Sequence, residues 1–231
     1  VDIPFTPYLV VSGNTKFLLD TGFADNGPAT TGRLRANMAA AGHKPEDIDH
    51  VILSHFHGDH INGLINKAGE LVYPNAMVHV PAPEFAFWMD DAKMAAAPAA
   101  MQGAFQNARR VLAKVPADKL VKFEPGKELA PGIESVAAFG HTPGMTVFNI
   151  RSQGQAFMYT ADVTNVPSLF ARSPDWAVTF DMDAEMARQT RRRIFDMLAK
   201  EKMAMGGFHF PFPALGTLEA AGNGYQFKPM A

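Results

Sequence analysis

The stretch Ser54-His55-Phe56-His57-Gly58-Asp59-His60 places three histidines and one aspartate within six residues. Imidazole nitrogen and carboxylate oxygen are the donors that zinc and its first-row neighbours accept. Further donors recur singly downstream: His141 within Gly140-His141-Thr142-Pro143-Gly144, Asp162 after Ala161, and His209 among aromatic residues. The set uses five of the eight histidines, enough for two metal ions that share one bridging carboxylate. His43, His50 and His79 lack such a context and read as surface or structural residues.

These donors need rigid supports, and the sequence offers strand ends. Val51-Ile52-Leu53 reads as a buried strand entering the histidine cluster, with a short helix leaving it from Ile61. Tyr8–Val11 and Phe17–Leu19 read as two strands around a Ser12-Gly13-Asn14 turn, the second running into Asp20-Thr21-Gly22. Residues 29–41 read as a helix ended by Gly42. A strand follows at 76–80, then two Ala- and Met-rich helices over 84–115, interrupted by Pro98. Strands are predicted at 119–123, 133–139, 145–150, 156–160 and 203–208. Asp181 or Asp183 would cap a helix running to about Lys200, with Ala187, Thr190, Ile194 and Met197 as its apolar stripe. Arg191-Arg192-Arg193 reads as its solvated face. The Gly/Pro/aromatic tail closes the chain. Strands that alternate with helices and also occur in adjacent runs predict an α/β sandwich of two facing mixed sheets with helices outside.

Composition bounds the function. The 231 residues are 47% hydrophobic and 19% charged, with a net charge of −2. That is an ordinary globular balance. It argues against nucleic acid or a membrane surface as partner, and no apolar run reaches membrane-spanning length. The absence of cysteine removes disulfides, thiolate nucleophiles and thiolate metal ligands. It leaves the compartment, cytoplasmic or periplasmic, open. The chain opens at Val1 without an initiator Met, so a targeting segment or early edge strands are expected to have preceded it.

The pattern His-x-His-x-Asp-His, followed by an isolated His, an isolated Asp and a final His, resembles the metallo-β-lactamase fold superfamily. Asp20-Thr21-Gly22 and the Gly-His-Thr-Pro-Gly around His141 share the resemblance. It implies one αββα domain over residues 1–231 and a site with two divalent ions, zinc foremost, with manganese, cobalt or iron as alternatives. By position, His55, His57 and His141 would hold the first ion and Asp59, His60 and His209 the second. Asp162 would bridge them beside a hydroxide. Asp20 would hydrogen-bond a ligand or its loop rather than a metal. Two ions acidify a shared water and polarise the bond under attack, so the implied activity is metal-dependent hydrolysis. Asp59 or Asp162 would pass a proton to the leaving group.

Motifs outside the ligands resemble the methyl parathion hydrolase subgroup. They are Tyr73-Pro74-Asn75-Ala76, Glu84, Phe87-Trp88, the run from Phe208 to Pro213 with Gly216, and Gly224-Tyr225-Gln226-Phe227. Met145, where that pattern has histidine, is a departure. The subgroup implies an aromatic pocket from Trp88, Phe210 and Phe212 that takes a neutral phosphotriester, lactone or aryl ester. Phe105 reads as core. The alternatives on the same metals are a glyoxalase II-like thioesterase and a β-lactam hydrolase. The first lacks expected basic residues near the aromatic tail, and the second does not match Asp162 or the missing cysteine. A metal-binding interaction protein is the non-enzyme reading, and the intact ligand set weighs against it. An iron redox role is weakened by His57, where glutamate would be expected. The helices over 84–115 offer a face for a homodimer.

Overall fold

A computed structural model describes residues 2–230. The chain forms two compact units, one of Pro7–Phe123 and the other of residues 124–230 with the stretch 2–6. Each unit contains one mixed sheet with its own helices, giving the α/β class and the two helix-flanked mixed sheets that the sequence implies.

The first unit runs β1 (Tyr8–Ser12), β2 (Thr15–Leu19), α1 (Leu34–Ala40), β3 (His50–Ile52), α2 (Gly58–Ile61), β4 (Met77–Pro81), α3 (Ala82–Trp88), α4 (Asp91–Ala96), α5 (Ala99–Leu112) and β5 (Leu120–Phe123). Its sheet has the order β1-β2-β3-β4-β5. The β1–β2 hairpin is antiparallel, and every later pair is parallel. Leu18, Leu19, Val51, Ile52, Val78 and Val80 are buried, as expected of parallel strands covered on both faces. Two boundaries differ from the sequence reading. The first helix starts at Leu34 because Gly32 is left-handed, at φ +81°, and a Cβ there would meet the Ala24 carbonyl; a right-handed helix cannot pass through it. The stretch 84–115 forms three helices, because Asp90 caps α4 by accepting from the Ala92 and Lys93 amides.

The second unit runs β6 (Glu128–Ala130), β7 (Ile133–Ala137), β8 (Thr146–Ser152), β9 (Gln155–Tyr159), α6 (Pro167–Arg172), α7 (Ala184–Glu201), β10 (Ala204–Gly206), β11 (Leu215–Ala221) and β12 (Gly224–Pro229). Its sheet has the order β12-β11-β10-β9-β8-β7-β6 and is antiparallel except where β10 joins β9. The tail is a hairpin, β11–β12, rather than an irregular closure. Its first strand, with Gly216, Ala220 and Ala221, carries little β-propensity.

Helix α7 corrects the charge reading. Asp183 is the cap, accepting from Met186 N, while Asp181 has a different task. The buried face is Ala187, Thr190, Arg191, Ile194, Phe195 and Leu198, with Met197 half-buried. Arg191, expected on the solvated face, has 1% of its surface exposed. It falls among the buried positions by helical spacing; carbonyl groups accept from its Nε and Nη1, and its Nη2 faces the Asp181 carboxylate. Arg192 and Arg193 remain outside, paired with Asp175 and the Ala137 carbonyl respectively.

Candidate metal centre

The donors of the first unit come from one connection. Strand β3 delivers the chain to Ser54, and α2, a single turn, carries Asp59 and His60. Strand β2 ends beside them in Asp20, whose backbone is left-handed at φ 57°, an uncommon and costly state outside glycine. That bend aims the Asp20 carboxylate into the loop. Oδ1 accepts the Ser54 amide at 2.8 Å, and Oδ2 accepts the Ser54 hydroxyl at 2.7 Å. Oδ2 also lies 2.8 Å from His60 Nδ1. Ser54 Oγ, having donated to Asp20, accepts from His55 Nδ1 at 3.0 Å. One carboxylate therefore sets the N–H at Nδ1 of both His55 and His60, which leaves the lone pair at Nε2, the form of imidazole that binds a metal. The His55 ring centroid lies 4.7 Å from that of His57 and 4.0 Å from that of His60. Asp59 Oδ2 lies 3.6 Å from His60 Nε2.

A second buried carboxylate braces the same loop. Glu84 Oε1 accepts the Phe56 amide at 3.0 Å and the Trp88 indole N–H at 2.7 Å. Phe56 separates His55 from His57, so this bond holds the turn that presents the two rings. Trp88 is 1% exposed, packs on Phe105 and Phe87, and lies with its ring 6.4 Å from that of His57. Phe105 is fully buried.

The donors of the second unit come from three connections. His141 lies between β7 and β8, with Nδ1 2.9 Å from Asp181 Oδ1. Asp162 follows Ala161, another left-handed non-glycine residue, at φ 43°. His209 follows β10, with Nδ1 2.9 Å from the carbonyl oxygen of Pro4. The Nε2 atoms of His141 and His209 reach the same oxygen, Asp162 Oδ2, at 3.3 and 3.1 Å. With the N–H of each ring held at Nδ1, three acceptors converge at that oxygen, and only a cation between them reconciles the arrangement. A proton is one such cation. Burial lowers the His141 pKa, but hydrogen bonds and charge from Asp162 and Asp181 outweigh burial and raise it to about 9. A divalent metal is the other, and the donor set of imidazole nitrogens around a shared carboxylate suits it.

Among the aromatic residues singled out in the sequence, Phe210 is fully buried, with its ring 5.5 Å from that of Phe227. Phe212 is 97% exposed. Glu84 appeared in the sequence only as part of a motif, and Asp181 only as one of two possible caps. Ser54 and Pro4 carried no signal. His50 and His79 lie apart from the donors described above and face each other across neighbouring strands, Nδ1 to Nε2, at 3.0 Å.

The comparisons with known proteins agree with this chemistry. The model of the metallo-beta-lactamase superfamily matches residues 6–201. An N-acyl homoserine lactonase of Bacillus sp is 24% identical over 224 residues, covering 87% of this chain and 79% of the relative. AidC, a dizinc quorum-quenching lactonase solved with the product N-hexanoyl-L-homoserine, is 29% identical with a TM-score of 0.93. That similarity covers 100% of this chain and 81% of AidC. The hydrolase AbOPH is 27% identical with a TM-score of 0.92, over 98% of this chain and 79% of its own. With buried histidines poised at Nε2 and a match over most of its length, the chain belongs to the metallo-β-lactamase superfamily and is a metal-dependent hydrolase.

Proposed function

We propose that this chain is a dinuclear lactonase that opens the ring of N-acyl homoserine lactones. The observation that carries the reading is the likeness to AidC over the whole of this chain, at 29% identity. The chemistry of this chain's own site supports it: buried imidazoles with Nδ1 occupied by an oxygen, and a carboxylate oxygen reached by two Nε2 atoms.

In this reading His55, His57 and His141 would hold one ion and Asp59, His60 and His209 the second, with Asp162 available to both. Zinc is the first choice on donor type. Bound ions of this kind supply an activated water at neutral pH and polarise the ester carbonyl. The protein's own groups do the rest. Asp20, Asp181 and the Pro4 carbonyl keep the imidazoles in one tautomer, so that no ring must turn during a cycle. Asp59 or Asp162 accepts the proton of the attacking water and returns it to the alkoxide released when the ring C–O bond breaks, the role of a general acid–base. Phe212 offers its ring to the apolar part of the substrate. Trp88 supports His57 from behind, and Phe210 shapes the loop that carries His209.

The test is a kinetic panel on protein loaded in turn with Zn²⁺, Mn²⁺ and Co²⁺: an N-acyl homoserine lactone, an aryl ester, a phosphotriester, a thioester and a β-lactam. The lactone should give the highest kcat/KM. A panel in which the phosphotriester or thioester leads and the lactone is not turned over would reject the substrate assignment. Metal analysis should find close to two ions per chain.

A further inference from the structure

Behind His141, beyond the Asp181 oxygen that fixes its tautomer, lies a line of buried groups that no part of the proposed reaction uses. Asp181 Oδ1 holds His141 Nδ1. The other oxygen, Oδ2, accepts the Val178 amide at 3.1 Å and faces Arg191 Nη2 at 3.6 Å. Arg191 donates from Nε to the Val163 carbonyl at 2.7 Å, and from Nη1 to the carbonyls of Pro174 and Trp176 at 2.9 and 2.5 Å. The Phe170 ring centroid lies 4.7 Å from the guanidinium carbon. Val163 is the residue after Asp162, and the His141 carbonyl is tied to the same region by the Met182 amide at 3.1 Å.

Burying a guanidinium is costly unless every donor finds a partner. A helix packed on a sheet is served as well by an apolar side chain at that position. Here the partners all belong to the segment 163–181, which begins beside Asp162 and ends at Asp181, the partner of His141, and so serves two of the three donors of this unit. The fork geometry matters: carbonyls that lie in different directions are bound from one rigid plane, which the single ammonium of lysine cannot reproduce.

We infer that Arg191 is a positioning residue of the metal centre, setting His141 through Asp181 and Asp162 through the Val163 carbonyl. The inference rests on the reading of His141 and Asp162 as metal ligands.

The experiment is a Co²⁺ titration of metal-free protein, followed by the visible absorption of the bound ion, with the thermal midpoint recorded alongside. The chains compared are wild type, Arg191→Lys, Asp181→Asn, the double variant, and Arg188→Lys as a control on the exposed side of α7. Asparagine offers one oxygen, so Asp181→Asn cannot accept from both His141 and Val178. Arg191→Lys and Asp181→Asn should each weaken Co²⁺ binding by about 10- to 100-fold, the usual range for partners of metal ligands, and should alter the absorption bands. The double variant should be no weaker than the weaker single by more than about threefold, because both changes interrupt one chain. Arg188→Lys should match wild type.

A lower thermal midpoint for Arg191→Lys with unchanged Co²⁺ affinity and spectrum would make Arg191 a packing residue only. Losses that multiply in the double variant would separate Arg191 from Asp181. If Arg191→Lys fails to fold, Asp181→Asn still decides, since it leaves the carbonyl bonds of Arg191 in place; unchanged affinity there overturns the inference. Wild-type protein that binds no Co²⁺ refutes the metal reading itself, before any variant is compared.

Discussion

The two donor sets are held in different ways. In the first unit four donors share one short connection, and one carboxylate, Asp20, orders two of the imidazoles, His60 directly and His55 through Ser54. In the second unit three donors arrive on three connections. His141 is held by Asp181 and His209 by the Pro4 carbonyl, while Asp162 meets Asn165 Nδ2 at 3.4 Å. Both sets use a left-handed non-glycine residue at a strand exit, Asp20 in one and Ala161 in the other. The first set is built by a loop and two carboxylate braces, of which Asp20 alone reaches the imidazoles, the second by partners spread along the chain. A local set should therefore fail as a whole when its brace is removed. A dispersed set should lose its donors one at a time.

The largest effect is expected at Asp162, to which the proposed function gives both ions. Asp162→Ala should lower turnover by well over a hundredfold, since loss of a partner of a ligand alone costs about 10- to 100-fold, and should reduce metal content. Near-normal turnover with full metal content would remove Asp162 from the bridging role. Next comes Asp20→Ala, which takes the acceptor from Ser54 and His60 together. Metal affinity should fall about 10- to 100-fold for every donor of the loop, not for one. A loss confined to a single ion would show that Ser54 and Glu84 hold the loop without Asp20.

Glu84→Gln is a smaller perturbation. The amide can still accept one of the two N–H groups, from Phe56 or Trp88, and the cost should be about 1–3 kcal/mol of stability, read from denaturant midpoints. A Trp176→Phe background isolates the Trp88 fluorescence, which should shift with the lost indole bond. No shift would mean that the Phe56 bond is the one given up.

The smallest expected effect is a contrast in pH between the units, in metal-free protein. Burial, with a lesser contribution from His50, pushes His79 down to about 4. Its share of stability is full above the ordinary value of 6.5 and is lost as pH falls toward 4. His141 titrates the other way. Burial lowers its pKa, but Asp162 and Asp181 raise it to about 9, so its share is full below 6.5 and is lost as pH rises through 9. Thermal midpoints against pH should lose their acid limb in His79→Phe and their alkaline limb in His141→Asn. Limbs that persist in both variants would assign the pH response to other groups.

The same contrast explains what could be read from the sequence. His55, His57, Asp59 and His60 lie so close along the chain that their types and spacing identify a donor loop. His141, Asp162 and His209 were visible because each follows a strand and because the series as a whole resembles a family. Their supports were not visible. Asp181 looked like a helix cap because aspartate before a helix usually is one. Arg191 looked solvated because an arginine is expected at the surface, although its spacing from Ala187 and Ile194 puts it on the apolar stripe. The β11–β12 hairpin was missed because Gly216, Ala220 and Ala221 give β11 no strand pattern, and its pairing with β12 and β10 is what makes it a strand. In each case a tertiary neighbour, not a local preference, decided the outcome.

The bond from His209 to Pro4 has a practical consequence. The acceptor is a main-chain oxygen, and every residue type supplies one. An alanine scan would therefore pass over position 4 in silence, and so would any comparison of side-chain identities across relatives. Only deleting or rerouting the backbone there would expose the dependence. Residue 4 is a contribution to the site made by chain path alone, addressable by protein engineering but hidden from substitution.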